Sequence, residues 1–419
     1  MAKTVSFISR RFGKYDPWDI KDYEAHDGFK ALRKALTMDG TAIANVLSDN
    51  GVQGRGGAAY DMGLKWRQAR EEKAELKCVV CNADEGEPGT FKDRELIKRD
   101  PFQLLEGMII AGWAVDAQDG YIYLREEYSH LRPLLRNAIS ACEKAGYLGE
   151  NILGSGLNYR IHLYSGAGAY VCGEGTALAE SIEGKAGRPR KKPPYIKQCG
   201  VFSRPTCVNN VESLSIVPNV LLDDEGFYKS QGTPDCPGTK MISVSGNVNN
   251  PGVCEIPFGT TIREIIELAG GVTEGQNLRL VQLGGASGRI ANPSQLDTPY
   301  TYKDLKAAGL TPVGSGAVLV VDERTSVIGF LRITQKFFGH ESCGQCTPCR
   351  EGNRHIIRLL DLMAEEKHTQ KDIDTLFKFA NIMTNASLCG LGQASQSALL
   401  SAREHFPEVF QIEEEVAIR

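Results

Sequence analysis

"YRIHLYSGAGAYVCGEGTALAESIEG", residues 159–184, carries an alternating apolar segment into a glycine-rich turn and then into a helix-forming stretch. It predicts a strand, a glycine loop and a helix in that order. The same design occurs upstream, where "GVQGRGGAAYDMGLKW" (51–66) leads into the polar helix "LKWRQAREEKAE" (64–75), and "LKCVVCNADE" (76–85) follows as a buried strand ending in acidic residues. Between the two lie a helical region broken at Pro101 (94–115), a strand "GYIYLRE" (120–126) and an amphipathic helix with a glycine stop (129–149). Strands alternating with helices predict an α/β layer with a largely parallel sheet, whose ligands sit at the C-terminal ends of the strands. Before the first glycine loop, Phe29, Leu32 and Leu36, then Ile43, Val46 and Leu47, have helical spacing.

The pattern changes after about residue 235. Segments 240–271, 278–291 and 316–323 read as short strands around one helix, with "GNVNNPG" (246–252) as a hairpin signal, an α+β module. From residue 325 about four amphipathic helices form a small bundle. The expected domains are 1–235, 236–327 and 328–419.

With 419 residues, 42% of them hydrophobic, the chain has material for sizeable cores without disulfide staples. A formal net charge of −4 lacks the basic excess of a nucleic-acid binder, so no nucleic-acid partner is expected. The longest apolar run, "GMIIAGWAV" (107–115), is well short of the roughly 20 residues a membrane span needs. No direct membrane span is expected, and without a secretory signal pattern at the N-terminus a cytoplasmic location is the expectation.

Twelve cysteines in such a chain argue for reduced thiols, with metal ligation where they cluster. "ESCGQCTPCREG" (341–352) sets Cys343, Cys346 and Cys349 at intervals of three in a polar loop, and Cys389 lies forty positions on in "SLCGLGQ". Three plus one thiolates favour a 4Fe-4S cluster. Zinc is the rival, although structural zinc sites usually draw their cysteines from two separated pairs. A helix is expected directly after Cys349, its positive end facing the cluster. Cys78 and Cys81 also form C-x-x-C, but inside a strand, and read as structural.

"GRGGAAYDMGLKW" and "SGAGAYVCGEGTAL" place small residues ahead of helices, where backbone N–H groups approach phosphate oxygens. Neither is a strict dinucleotide or nucleotide-triphosphate motif. The turn "CNADEGEPGTFKDR" offers Asn82, Asp84, Glu85 and Glu87 as acceptors for ribose or ribityl hydroxyls and a flavin N–H, carboxylates that would repel a 2′-phosphate. "RKKPPYIKQ" and "PTCVNNVESL" add Lys192, Tyr195, Asn209 and Asn210.

Taken in order, these motifs resemble the flavin- and NADH-binding 51 kDa-type subunit of respiratory complex I, also the diaphorase subunit of NAD-dependent FeFe-hydrogenases and formate dehydrogenases. The resemblance runs through nearly the whole chain. It implies a Rossmann-like FMN domain, a ubiquitin-like (β-grasp) module and a helical bundle carrying one 4Fe-4S cluster. Carried over, Gly54, Arg55, Gly56, Lys65, Asn82, Asp84, Tyr170, Gly173, Glu174, Asn209 and Asn210 would line FMN. Glu87, Lys192 and Tyr195 would approach NAD(H), and Gly57, Tyr60 and Glu85 complete the cofactor-binding set. Cys343, Cys346, Cys349 and Cys389 would hold the cluster.

The chain departs from the family at "AAYDMGLKW" after Gly57, making Tyr60 the stacking aromatic, at Gly175 in place of a glutamate, and at Gln68 in place of a second aromatic. The implied activity is hydride transfer between NADH and FMN, then single-electron transfer through the cluster. Glu87 and Glu174 would be positioning groups, not proton-transfer catalysts. The alternative is a structural, electron-conduit subunit with weakened nicotinamide binding. Implied partners are a 2Fe-2S ferredoxin-like or thioredoxin-like subunit and a larger iron-sulfur subunit.

Overall fold

The structure, a computed structural model, describes residues 4–412. The outer ends of the first and third expected domains, residues 1–3 and 413–419, lie outside the described residues. Three short helices, α1 (Ile20–Ala25), α2 (Lys30–Ala35) and α3 (Gly40–Asp49), precede α4 (Met62–Glu71). Asp19, Asp39 and Asp61 accept backbone N–H groups at the starts of α1, α3 and α4, which is why these helices begin where they do.

Four strands, β1 (Cys78–Ala83), β2 (Asp119–Leu124), β3 (Arg160–Ser165) and β4 (Thr206–Asn210), form a parallel sheet in the order β3-β2-β1-β4. The chain moves outward from β1 to β3 and then crosses back to place β4 on the other side of β1. This makes the C-terminal ends of β1 and β4 a topological switch point, where open α/β sheets form their crevices. Cys78 and Cys81 are free, buried and on opposite faces of the central strand, as expected of structural cysteines.

The connecting helices are α5 (Lys92–Arg99), α6 (Pro101–Val115), α7 (Arg132–Lys144), α8 (Gly175–Ile182) and α9 (Val211–Leu221). Asp100 caps α6 and Pro101 takes its first turn, which accounts for the break between α5 and α6. Every residue of α9, and all of α6 except Trp113, is buried, so these helices are the centre of the core and not a surface layer. Gly107 permits their close crossing, because a methyl group there would fall inside contact distance of the Leu214 carbonyl.

After α10 (Phe227–Ser230) and a two-residue ladder, β5 (Gly232–Thr233) with β6 (Cys236–Pro237), the chain enters a five-stranded sheet. Its strands are β7 (Thr239–Gly246), β8 (Gly252–Pro257), β9 (Leu278–Leu283), β10 (Ile290–Ala291) and β11 (Ala317–Asp322), in the order β10-β9-β11-β7-β8. β7 and β8 are the expected hairpin, and β11 returns parallel to β7 between it and β9. Helices α11 (Ile262–Leu268), started by a Thr261–Glu264 capping box, and α12 (Tyr302–Ala307) complete this layer.

The last zone holds α13 (Val327–Glu341), α14 (Thr347–Ala364), α15 (Gln370–Ala386), α16 (Gly390–Ala394) and α17 (Ser397–His405) around their own apolar core. The four expected helices are present. The short α16 and the first six residues of α14 are additional, and the latter correct the expectation at the cysteines: α14 starts at Thr347, so Cys349 lies inside its first turn.

Residues 5–9 reach across to β8. Phe7, Ile8 and Ser9 donate their backbone N–H groups to the Glu255 carboxylate at 2.9–3.0 Å, and Thr239 Oγ1 donates to it at 2.6 Å. A second seam joins α9 to β7, where Lys240 Nζ pairs with Glu212 and Met241 N donates to Glu212 Oε1 at 3.0 Å.

Gly107→Ala is expected to force α6 and α9 apart and cost about 1–3 kcal/mol. A urea titration checks this by a lower midpoint at unchanged slope.

Candidate flavin and cluster sites

The residues beyond the ends of β1, β3 and β4 close around an inner cleft of about 440 Å³ at the switch point. Asn82, Asp84, Glu85 and Glu87 come from the β1 end, Tyr170, Gly173 and Glu174 from the loop before α8, Asn210 from the β4 end, and Arg55 and Gly56 from the first glycine loop. That volume lies within the range of cofactor pockets. The loop approaches closely because Gly56 has no side chain; a Cβ there would lie 3.2 Å from Asn210 Cβ.

Each polar group has a defined task. Asn82 Nδ2 donates to the Gly173 carbonyl at 2.8 Å, tying the β1 end to the second glycine loop. Glu85 accepts N–H groups of Asp93 and Arg94 at 2.8 and 3.1 Å and the Tyr128 hydroxyl at 3.0 Å, so its role is to hold the start of α5. Glu87 accepts the Tyr170 hydroxyl and, at 2.6 Å, Ser287 N–H from the second sheet's layer; burial raises its pKa against those two bonds. Glu174 caps α8 and takes Lys192 Nζ at 2.8 Å; burial works against its charge, but Lys192 and the Thr176 and Ala177 donors hold its pKa below the usual range.

Asp84 differs from these. Burial pushes its carboxyl up to about 7 with Arg125 opposing, and Oδ2 has no hydrogen-bond partner among the described residues. Arg55 lines the cleft as part of the glycine loop, but its guanidinium lies over the Phe258 ring at 4.7 Å and donates to the Tyr228 hydroxyl at 2.7 Å, residues outside the cleft lining. An orphaned buried acceptor, with the cationic Lys92 in the same lining, fits a ligand that carries both N–H or O–H donors and an anionic phosphate, as FMN does.

The structure adds residues that the motifs did not single out. Lys92, 1% exposed, contacts Asp93 Oδ1 at 2.6 Å and Glu212 Oε2 at 3.0 Å and lines the cleft beside Thr90 and Ser315. The adjacent opposite charges of "FKDRE" at a helix start were the available signal. Conversely, Asn209, expected at FMN, is buried away from the cleft and accepts Trp66 Nε1 at 3.3 Å; in a strand its side chain leaves on the opposite face from that of Asn210. Gly54 pairs its N–H with the Tyr60 carbonyl at 2.8 Å, and Gly57 adopts a positive φ of 115°, so both shape the loop without lining the cleft.

Lys65, also expected at FMN, faces a separate outer cavity of about 450 Å³, where its ammonium donates to the Val208 carbonyl. Tyr60, Gln68, Lys192, Tyr195 and Lys197 line the same cavity. The sequence candidates therefore divide between two neighbouring spaces, joined where Lys192 of the outer one meets Glu174 of the inner one.

The four cysteines converge. Cys343, Cys346, Cys349 and Cys389 line one small pocket, with Cys346 and Cys389 as the N-cap residues of α14 and α16. Burial raises the Cys349 and Cys389 thiols; working against it, Cys349 Sγ lies 3.2 Å from Ser342 Oγ and 3.4 Å from Asn353 Nδ2, and Cys389 Sγ accepts the N–H groups of Leu391 and Gly392. Among the described residues no His, Cys, Asp or Glu group closes to single-ion coordination. A cubane presents a separate iron to each thiolate, so four cysteines converging on one pocket fit the cluster. Val171 and Leu391 line both this pocket and the inner cleft.

A flavin cleft sharing walls with a four-cysteine cluster pocket defines a flavin and iron-sulfur oxidoreductase subunit. Residues 47–219 match the Nuo51 FMN-binding domain, 241–291 the SLBB domain, and 330–413 the NADH-ubiquinone oxidoreductase-F iron-sulfur binding region. The chain belongs to the family of FMN-binding 51K subunits. The NADP-reducing hydrogenase subunit HndC of Solidesulfovibrio fructosivorans is 38% identical over 410 residues, spanning 98% of this chain and 83% of the relative. A subunit of the NADH-quinone oxidoreductase of Mycobacterium bovis is also 38% identical, spanning 96% of this chain and 92% of the relative. The solved NAD+-reducing NiFe-hydrogenase in its H2-reduced state superposes with a TM-score of 0.82 at 37% identity, over 90% of this chain and 62% of that one. Among the described residues no helix is long and apolar enough to cross a membrane.

The Asp84 carboxyl, near 3.8 when unperturbed and about 7 when folded, gives the folded state more bound protons than the unfolded state between those values. Its contribution to stability therefore falls as pH rises through that window. In flavin-free protein, Asp84→Asn should lose less stability than the parent between about pH 4 and pH 7 and be more stable at about pH 8, by about 1–3 kcal/mol in urea titrations.

Proposed function

We propose that the chain is the electron-input subunit of a multi-subunit assembly, taking hydride from a reduced nicotinamide dinucleotide and passing electrons singly to partners. The observation that carries this is the shared wall: Val171 and Leu391 are the layer between the inner cleft and the cysteine pocket. When bound, FMN would accept a hydride, two electrons with one proton, from the dinucleotide plus a proton from solvent, and the cluster would relay the electrons one at a time.

The chain's own residues supply binding and alignment. Lys92 provides positive charge for the flavin phosphate, and Asn82, Asp84 and Asn210 provide polar groups for its ribityl chain and ring edge. The Tyr170–Glu87–Ser287 chain fixes the wall, and Glu341, directly before the cluster loop, accepts Tyr170 N–H at 2.9 Å. Glu87 and Glu174 act here as positioning groups with their acceptor oxygens already engaged. The outer cavity, with Tyr60 and Tyr195 at 45% and 53% exposure, offers stacking surfaces for the dinucleotide's adenine.

In this reading the domains are 1–235, 236–327 and 328–419, and the middle one is ubiquitin-like. Its hairpin, intervening helix and last strand parallel to the first support that assignment. Only one cluster site is built among the described residues, so electrons must leave to another protein. A 2Fe-2S ferredoxin-like or thioredoxin-like subunit and a larger iron-sulfur subunit are the proposed recipients, and the two relatives named above are subunits of a hydrogenase and of a quinone oxidoreductase.

The flavin-loaded protein is expected to oxidise NADH or NADPH with an artificial one-electron acceptor; oxidation of neither would overturn the reading. Cys346→Ser should abolish the iron-sulfur electron paramagnetic resonance signal and transfer to the partner while dinucleotide still bleaches the flavin. Loss of bleaching as well would make the loop structural.

A further inference from the structure

The outer cavity is lined by three lysines, Lys65, Lys192 and Lys197, and by no aspartate or glutamate among the described residues. The carboxylates of the acidic turn all lie in the inner cleft. Lys192 is drawn to Glu174 at the junction of the two spaces, where the pyrophosphate of a dinucleotide spanning both would pass. Lys65 and Lys197 have no carboxylate partner among the described residues: Lys65 donates to the Val208 carbonyl and Lys197 to Gln68 Oε1 at 3.2 Å. Gln68 Oε1 also accepts the Tyr60 hydroxyl at 3.2 Å, so one neutral amide orients both a lysine and an aromatic ring of the cavity.

A second observation concerns Gly175, the first residue of α8. A Cβ built there would lie 3.3 Å from Ile196 Cδ1 and 3.9 Å from Val208 Cγ2, both wall atoms of the outer cavity, and would meet no backbone. The residue is not among the glycines with positive φ. Neither conformation nor backbone crowding calls for glycine here; a side chain at this position would press on Ile196 and so alter the cavity wall.

Recognition of the adenosine ribose turns on charge. A carboxylate accepts the 2′-hydroxyl and repels a 2′-phosphate, whereas unpaired cations donate to the phosphate oxygens. We propose that the outer cavity binds the 2′-phosphoadenosine end of the dinucleotide, with Lys197 and Lys65 facing the phosphate and no carboxylate among the described residues of the wall to repel it, so that the preferred reductant is the 2′-phosphorylated form. This rests on the electron-input reading above and names its substrate.

The test uses the purified flavin-loaded assembly. Calorimetric titration with 2′,5′-ADP and with 5′-ADP reads the cavity without turnover, and kcat/KM for NADPH and NADH with an artificial acceptor reads selectivity. The 2′-phosphorylated member of each pair is expected to be favoured by on the order of tenfold or more. Lys197→Ala and Gly175→Glu should each reduce that ratio by about tenfold, and raised salt should reduce the binding difference. Equal binding of the two nucleotides, or a preference for 5′-ADP and NADH, overturns the proposal. If neither dinucleotide is oxidised the electron-input reading falls, and the nucleotide titration still decides what the cavity binds.

Discussion

A carboxylate with no access to solvent holds the molecule's principal joint. Glu212, at the start of α9, is 0% exposed and pairs with Lys240 of β7 and Lys92 of α5, themselves 0% and 1% exposed. Burial opposes its charge, yet Lys240, Lys92 and Arg55 hold its pKa down at about 2. Removing one partner of such a group leaves an uncompensated buried charge, typically at a cost of about 3–5 kcal/mol. The three side chains come from the parallel sheet's helices and from the five-stranded sheet, so the ion group fixes how those layers meet. Asn210, Lys92 and Ser315 line the inner cleft from both sides of that joint.

The second joint brings the helical zone to the cleft. Glu341 ends α13 two residues before Cys343 and accepts the N–H of Tyr170, whose hydroxyl reaches Glu87 on the opposite wall. Phe337 and Phe338 pack edge-on against the Tyr170 ring, at centroid distances of 5.2 and 6.1 Å. One tyrosine thus touches the flavin wall, the helical bundle and the approach to the cluster. Phe338 beside it is fully buried, so apolar packing from the helical zone reaches up to the cleft wall at this ring.

Much of this was legible in the chain. Alternation of strand and helix led to the parallel sheet, "GNVNNPG" to the β7–β8 hairpin, and cysteine spacing to a four-sulfur site, because each depends on local periodicity or on contacts between neighbours. What escaped depends on direction. Asn209 and Asn210 are adjacent, yet strand geometry sends only one to the cleft. Lys65 faces the outer cavity because α4 turns its side chain toward β4. Cys349 falls inside a helix because Pro348, well suited to a first turn, lets α14 begin before the third ligand. Lys92 looks like a surface lysine until Glu212, 120 positions away, is placed beside it.

The Glu255 clasp imposes an order on biosynthesis. Phe7, Ile8 and Ser9 close on a carboxylate about 250 residues further along the chain. At ribosomal speeds of about 5–20 residues per second, that carboxylate emerges roughly 12–50 s after the segment it will hold. The strands of the parallel sheet, the last ending at Asn210, are therefore all synthesised before this clasp can close. During that interval the segment can be held only by partners nearer in the chain, Gln103 Nε2 donating to the Ile8 carbonyl and Asn219 Nδ2 to the Phe7 carbonyl.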